Sequence, residues 1–270
     1  MTAGFVHHGG QVGTSSGPAV VLLHGAGMDH TVWRGLTRYL AHHGHRVFAP
    51  DLPGHGRSAG PPLASIEEMA AWVLHLLDDA GVTQSTVIGH SMGALIALRM
   101  GAAGVADRLV AICSGTRIEV HRELQRAADE RDRKAVELIL SWSFGPWGRL
   151  GGLSDPGTSA LIECRRVLQN GLHVLGSDLR ACHTYLGGTD DAAAIPAPSL
   201  VVSGSEDRMV RPALAADLAG ILIDARFELV PGGGHMLMVQ QPERVRDLVD
   251  RMLSSRQLSG SQVLSSQADA

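Results

Sequence analysis

Three short stretches hold the residue types that could do chemistry together. In Gly89-His90-Ser91-Met92-Gly93-Ala94 a serine sits between two glycines, after an apolar run and before a helical pattern. Gly-x-Ser-x-Gly in that setting is a nucleophile elbow, a sharp turn that lifts the serine hydroxyl to the carboxyl end of a sheet. The turn strains the backbone of Ser91, and glycines flank it because side chains there would collide across the turn. A chance match in a chain with 33 glycines is the competing explanation, and the flanks on both sides argue against it. Serine is a weak nucleophile and needs a base that a third group orients. In this architecture the chain order is serine, acid, histidine. Asp207 follows the run Ser199–Val202, and His235 follows Phe227–Val230 behind Gly232, Gly233 and Gly234. A loop histidine, one of 14 here, is usually solvated. Its glycines and the apolar Met236–Val239 run point instead to a tightly placed base. Glu206 competes with Asp207 for the acid position, and Asp51 is a more distant rival. A developing oxyanion needs donors. His24-Gly25-Ala26-Gly27, after Ala19–Leu23, can offer the Ala26 amide beside that of Met92, although an ordinary strand-to-helix turn would look the same.

These residues need a sheet to align them. Ala19–Leu23, Arg46–Ala49, Ser85–Ile88, Leu109–Cys113, Ser199–Val202 and Phe227–Val230 are short apolar runs, continuous rather than alternating, as in strands covered by helices on both faces. Amphipathic segments lie between them, which predicts α/β architecture with a mostly parallel sheet. The clearest helix is Ile66–Ala80, with Ser65 and Glu68 as a capping box and Gly81 as its stop. Others are expected at Trp33–His42, Ser91–Met100, Pro212–Leu218 and Pro242–Met252. Alternation stops over residues 116–197, where helical patterns (Val120–Ala128, Asp132–Trp142, Thr158–Leu168, Leu175–Tyr185) run without a strand. The expected organisation is therefore a core from 1–115 and 198–254 and an all-helical cap at 116–197. Residues 255–270, Ser/Gln-rich, read as a disordered tail.

Composition narrows the class. The 270 residues are 44% hydrophobic and 19% charged, with a net charge of -4, which makes nucleic acid a poor partner. A chain of this length buries enough surface to need neither disulfide nor metal. Three cysteines cannot all pair and match no zinc spacing, which points to a reducing, cytoplasmic setting. The opening MTAGFVHHGG lacks the basic and apolar regions of a secretory signal, and no stretch reaches the ~18 apolar residues of a membrane span. Lys134 is the single lysine, so a lysine Schiff base elsewhere is excluded.

The set resembles the α/β-hydrolase superfamily. The resemblance rests on HGAGMDHTVW (His24–Trp33), DLPGHGRS (Asp51–Ser58), GHSMGA (Gly89–Ala94), GSEDRMV (Gly204–Val210) and the GGGHM that ends at Met236. It implies an eight-stranded, mostly parallel sheet with a helical cap between strands 6 and 7, and a Ser91–Asp207–His235 triad. It also marks DLPGHGRS as a structural loop near the pocket, so His55 receives no catalytic role. A serine nucleophile argues against the haloalkane dehalogenase and epoxide hydrolase branches. GHSMGA is similar to esterases and monoacylglycerol lipase-like enzymes, and less like the C–C bond hydrolases that carry asparagine before the serine.

Of only ten aromatics, Trp142, Phe144 and Trp147 fall within six residues, beside Gly145 and Pro146. They suit either an apolar substrate pocket with a hinge or the glue between cap and core. Trp33 is expected to pack beneath the oxyanion loop. Met92, Met209, Met236 and Met238 could line the pocket or fill the core. His42, His43 and His45 offer no carboxylate or cysteine at ligand spacing, so no metal and no cofactor is expected. The expected function is hydrolysis of a small to medium carboxylic ester through an acyl-enzyme on Ser91. A ligand sensor or signalling adaptor on the same fold is the alternative, with a lactonase, thioesterase, C–C hydrolase or cofactor-free perhydrolase inside the enzyme class. The oligomeric state is not legible in the sequence.

Overall fold

A computed structural model describes residues 4–9, 17–144 and 160–254. Its sheet contains β1 (Val6–His7), β2 (Ala19–Leu23), β3 (Arg46–Pro50), β4 (Ser85–His90), β5 (Ala106–Ile112), β6 (Ser199–Gly204) and β7 (Ala225–Val230). They lie in the order β1-β3-β2-β4-β5-β6-β7. Only β1 runs antiparallel, against β3, and all other pairings are parallel. The continuous apolar runs are explained by where alternate side chains go. Val20 and Leu22 of β2 join the core on one side of the sheet, while Ala19, Val21 and Leu23 join the core on the other. Strands β2 to β6 therefore feed two hydrophobic layers at once, whereas Phe227 and Leu229 of the edge strand β7 stay exposed.

The helices α1 (Arg34–His42), α2 (Ile66–Asp79), α3 (Met92–Ala102), α9 (Pro212–Ile221) and α10 (Pro242–Ser254) cover these layers. The expected cap of α2 is present: Ser65 Oγ accepts from the Glu68 amide at 3.2 Å, and Glu68 reaches back to the Ala64 amide at 2.9 Å. Between β5 and β6 the described residues hold only helices, namely α4 (Arg122–Asp129), α5 (Lys134–Ser143), α6 (Ala160–Asn170), α7 (Leu172–Thr184) and α8 (Gly188–Ala193). The last of these packs on α3 and helps bury Ala192 and Ile195 in the core.

Two corrections follow. The sheet has seven strands among the described residues, not eight. Before β2, the described residues pair with β3 only at Val6↔Pro50 and His7↔Ala49. Residues 10–16, where another strand would have to run before β2, are outside the described residues. The helical insertion accordingly falls between the fifth and sixth strands. The expected tail 255–270 and Trp147 also lie outside the described residues.

Candidate active site

Ser91 follows the last residue of β4 and immediately precedes α3, with φ 53° and ψ -115°. A serine in this left-handed region is strained, and the surroundings must hold it there. They do so by close backbone contact. A Cβ at Gly89 would run into the Gly93 carbonyl, and one at Gly93 would run into the Leu23 carbonyl of β2. The Ser91 amide donates to the Ile112 carbonyl of β5 at 2.9 Å, which ties the turn to the neighbouring strand. Gly93→Ala is therefore expected to cost about 3 kcal/mol or more, because the colliding atom is backbone and has nowhere to go. A urea-unfolding midpoint within error of the wild type would contradict this.

His235 and Asp207 are each 3% exposed. His235 Nδ1 donates to Asp207 Oδ2 at 2.8 Å, while the other carboxylate oxygen accepts from the amides of Met209 (2.8 Å) and Val210 (2.9 Å). The acid is thus fixed by its own turn before it meets the histidine. The His235 loop is fixed by α5, since its amide donates to the Ser143 carbonyl at 2.8 Å and a Cβ at Gly234 would collide with that carbonyl. His90, the residue before Ser91, is fully buried and donates from Nε2 to the His235 carbonyl at 2.8 Å. Burial, with His235 beside it, pushes its pKa well below the ordinary histidine value, so it stays neutral.

Ser91 and His235 line one cavity of about 430 Å³. Among the described residues no hydrogen bond joins the two side chains, a common condition in ligand-free sites whose bonds tighten on substrate. The cavity is also lined by Ala26, by Leu124, Ile139, Trp142 and Leu179 from α4, α5 and α7, and by the polar side chains of Glu119, His121 and Arg208. The amide of Met92 is the first of α3, one of the N–H groups that a helix leaves without an intrahelical acceptor. Of the aromatics, Trp142 lines the cavity, whereas Phe144 does not. The chain leaves α5 extended at Phe144 (φ -113°, ψ 122°), and the ring is 1% exposed in the core. Trp33 is fully buried in the same core. Met28, Met209 and Met236 line the cavity, while Met92 and Met238 are buried away from it.

Among the described residues two groups bring metal-type donor atoms within 4.8 Å: His90, Cys113 and His235, and Asp29, His30 and Asp51. Most of these atoms are engaged within the fold, whereas His90 Nδ1 is buried without a hydrogen-bond partner among those residues. Burial and the adjacent Asp207 push the Cys113 thiol well up, keeping it protonated. Asp51 accepts from the amide (2.7 Å) and Nδ1 (2.9 Å) of His30 and from the Arg57 amide (2.8 Å). Burial alone would raise the Asp51 pKa, but these bonds outweigh it and hold the carboxyl below its ordinary value of 3.8. The unfolded chain therefore binds this proton first, so the contribution to stability is complete above 3.8 and lost as pH falls through the lower folded value. The stability gap between wild type and Asp51→Asn, from urea unfolding, is expected to be widest near about pH 6 and to narrow below about pH 4.

Sequence reasoning missed Asp178, a fully buried acid on α7 that meets His55 of DLPGHGRS at 2.8 Å. The available signal was a carboxylate on the same helical face as Val174, Leu175 and Cys182, which are buried with it.

A parallel sheet with helices on both faces and a serine held on a strained elbow after its central strand defines an α/β hydrolase. A family model described as "Alpha/beta hydrolase family" matches residues 20–248, and the chain belongs to that family. Among curated relatives, the chain is 30% identical over 234 residues to the magnesium-chelatase 30 kDa subunit of Rhodobacter capsulatus, covering 82% of each. It is 29% identical over 252 residues to the pimeloyl-[acyl-carrier protein] methyl ester esterase of Xanthomonas axonopodis pv. citri, covering 88% of this chain and 96% of that one. Among solved structures, the enol-lactonase from Burkholderia xenovorans LB400 superposes with a TM-score of 0.82 at 23% identity, over 94% of this chain and 96% of that one.

Proposed function

We propose that the chain is a serine hydrolase that cleaves a small to medium carboxylic ester through an acyl-enzyme on Ser91. The observation that carries this reading is one cavity shared by a strained Ser91 and by His235, whose other ring nitrogen is bonded to Asp207. His235 Nε2 takes the Ser91 proton as Oγ attacks the ester carbonyl. The amides of Ala26 and Met92 hold the oxyanion. Collapse of the tetrahedral species breaks the bond to the alcohol, which leaves with the proton from His235. Water, activated by the same nitrogen, then releases the carboxylic acid and restores Ser91. Residues 116–197 act as the cap over this site, on a core of 1–115 and 198–254. Its apolar wall of Leu124, Ile139, Trp142 and Leu179 suits a hydrocarbon acyl group, while Glu119, His121 and Arg208 bring polar groups to the same cavity.

The esterase named among the relatives, and the lactonase whose fold is shared, support an ester-type bond as the target. No described helix is long and apolar enough to cross a membrane. The three cysteines are buried and unpaired, which favours a reducing compartment such as the cytoplasm. The test is a p-nitrophenyl ester series from acetate to palmitate beside fluorophosphonate labelling. Turnover is expected to peak at short or medium chains and to fall at palmitate, in line with a cavity of about 430 Å³. Labelling of Ser91 without turnover of any ester would sink the ester reading and leave a different bond or a binding role.

A further inference from the structure

We propose that Asp178 is the positioning residue of the oxyanion loop, acting from the cap helix α7. The inference rests on the serine-hydrolase reading and deepens it. Asp178 Oδ2 accepts two hydrogen bonds, from the Gly27 amide at 2.7 Å and from His55 Nε2 at 2.8 Å. Asp178 is fully buried and His55 is 1% exposed. His55 Nδ1 also donates, to the Pro53 carbonyl at 3.1 Å, so both ring nitrogens carry protons and the pair is ionic. Burial opposes that charge, and the Asp178 carboxylate more than offsets the cost.

One carboxylate oxygen thus holds the residue next to Ala26 and the loop Asp51–Ser58 at once. The helix backbone follows it in. A Cβ at Gly171, just before α7, would run into the Gly27 carbonyl, and Leu175 packs where a Cβ on Gly27 would stand. Gly27 itself has φ 65°, a conformation with little side-chain tolerance. Positions 171, 175, 178, 179 and 182 share one helical face by their spacing of three and four. The first three grip the loop, and Leu179 and Cys182 line the substrate cavity. The wall that touches substrate and the clamp that sets the oxyanion amide are therefore one rigid element.

Stability does not explain the arrangement well. Buried ion pairs often return less than their desolvation costs, and here Asp178 Oδ1 has no hydrogen-bond partner among the described residues. A positional role does explain it, because a donor displaced by about 1 Å can lose a hundredfold in rate.

The experiment measures kcat, KM and the fluorophosphonate labelling rate of Ser91 in four variants, with melting curves on each. Asp178→Ala is expected to lower kcat and the labelling rate by about a hundredfold, with KM within about threefold. Asp178→Asn keeps an acceptor in place and is expected to stay within about tenfold of wild type. Asp178→Glu keeps the charge but pushes the loop outward by a methylene, and is expected to be slower than Asp178→Asn. Arg180→Ala, on the outer face of α7 where it pairs with Asp129, serves as a control expected to match wild type. The Asn-over-Glu order remains decisive even where the alanine variant does not fold. A glutamate variant equal to wild type beside an asparagine variant as slow as alanine would mean mere charge balance for His55. That result, or a loss confined to KM, overturns the inference. Labelling needs nucleophile, base and oxyanion hole but no ester. Failure of the wild type to label therefore strikes the hydrolase reading, whereas unchanged labelling in the variants strikes only Asp178.

Discussion

Replacing Ser91 by alanine is expected to lower kcat by roughly a million-fold and to abolish fluorophosphonate labelling, with little change in melting temperature. The size of the loss follows from the division of labour. In the proposed mechanism His235, Asp207 and the loop amides assist a single nucleophile, and without its oxygen the base has no proton to take. What is left is the rate from binding and the oxyanion donors alone, roughly 10³–10⁴ over water. The fold is expected to survive because the bonds that hold the elbow are backbone bonds: the Ser91 amide to Ile112, and the amide of Ala94 to the Ser91 carbonyl at 2.9 Å. Alanine keeps both. Appreciable turnover in a folded Ser91→Ala protein would show that the nucleophile is elsewhere.

How far the sequence carried this site depends on whether a residue acts through its neighbours in the chain or across space. Ser91, Asp207 and His235 could be nominated from sequence because each lies in the loop just past a strand, and the inner strands of this sheet are continuous apolar runs whose ends are sharp. β5 was less legible. It begins at Ala106, ahead of the apolar run, because Asp107 and Arg108 are only partly buried and carry no hydrophobic signal. It also ends before Cys113, which turns away with φ 53°. β1 has two residues and no period at all. Phe144 shared its cluster with Trp142 in sequence, yet one faces the cavity and the other the core, a distinction made by the turn that ends α5. The partners of Asp178 were out of reach for a different reason. Gly27 and His55 lie 151 and 123 residues away, and nothing local in α7 announces them.

Asp207→Asn is expected to lower kcat about ten-thousand-fold while leaving the fold intact, and the hydrogen bonds of the turn say why. The amides of Met209 and Val210 both donate to Oδ1, so an asparagine there must keep its carbonyl oxygen toward them. Its NH2 group then faces His235 Nδ1, which today donates to Oδ2. Two donors cannot share that contact. His235 is driven to the tautomer with its proton on Nε2, where it presents a hydrogen to Ser91 in place of the lone pair that must take the serine proton. The substitution thus disables the base without moving it. The same experiment separates the rival acids. Glu206→Gln is expected to keep wild-type kcat, since Glu206 makes its contact to the His235 loop through its backbone amide, which bonds Gly233 at 2.8 Å. Asp51→Asn is expected to act on stability rather than on kcat, most near about pH 6 and least in acid, because its oxygens are taken up by His30 and Arg57. If Glu206→Gln proved the slower enzyme, the acid would have to be reassigned and the hydrogen bond between Asp207 and His235 read as structural.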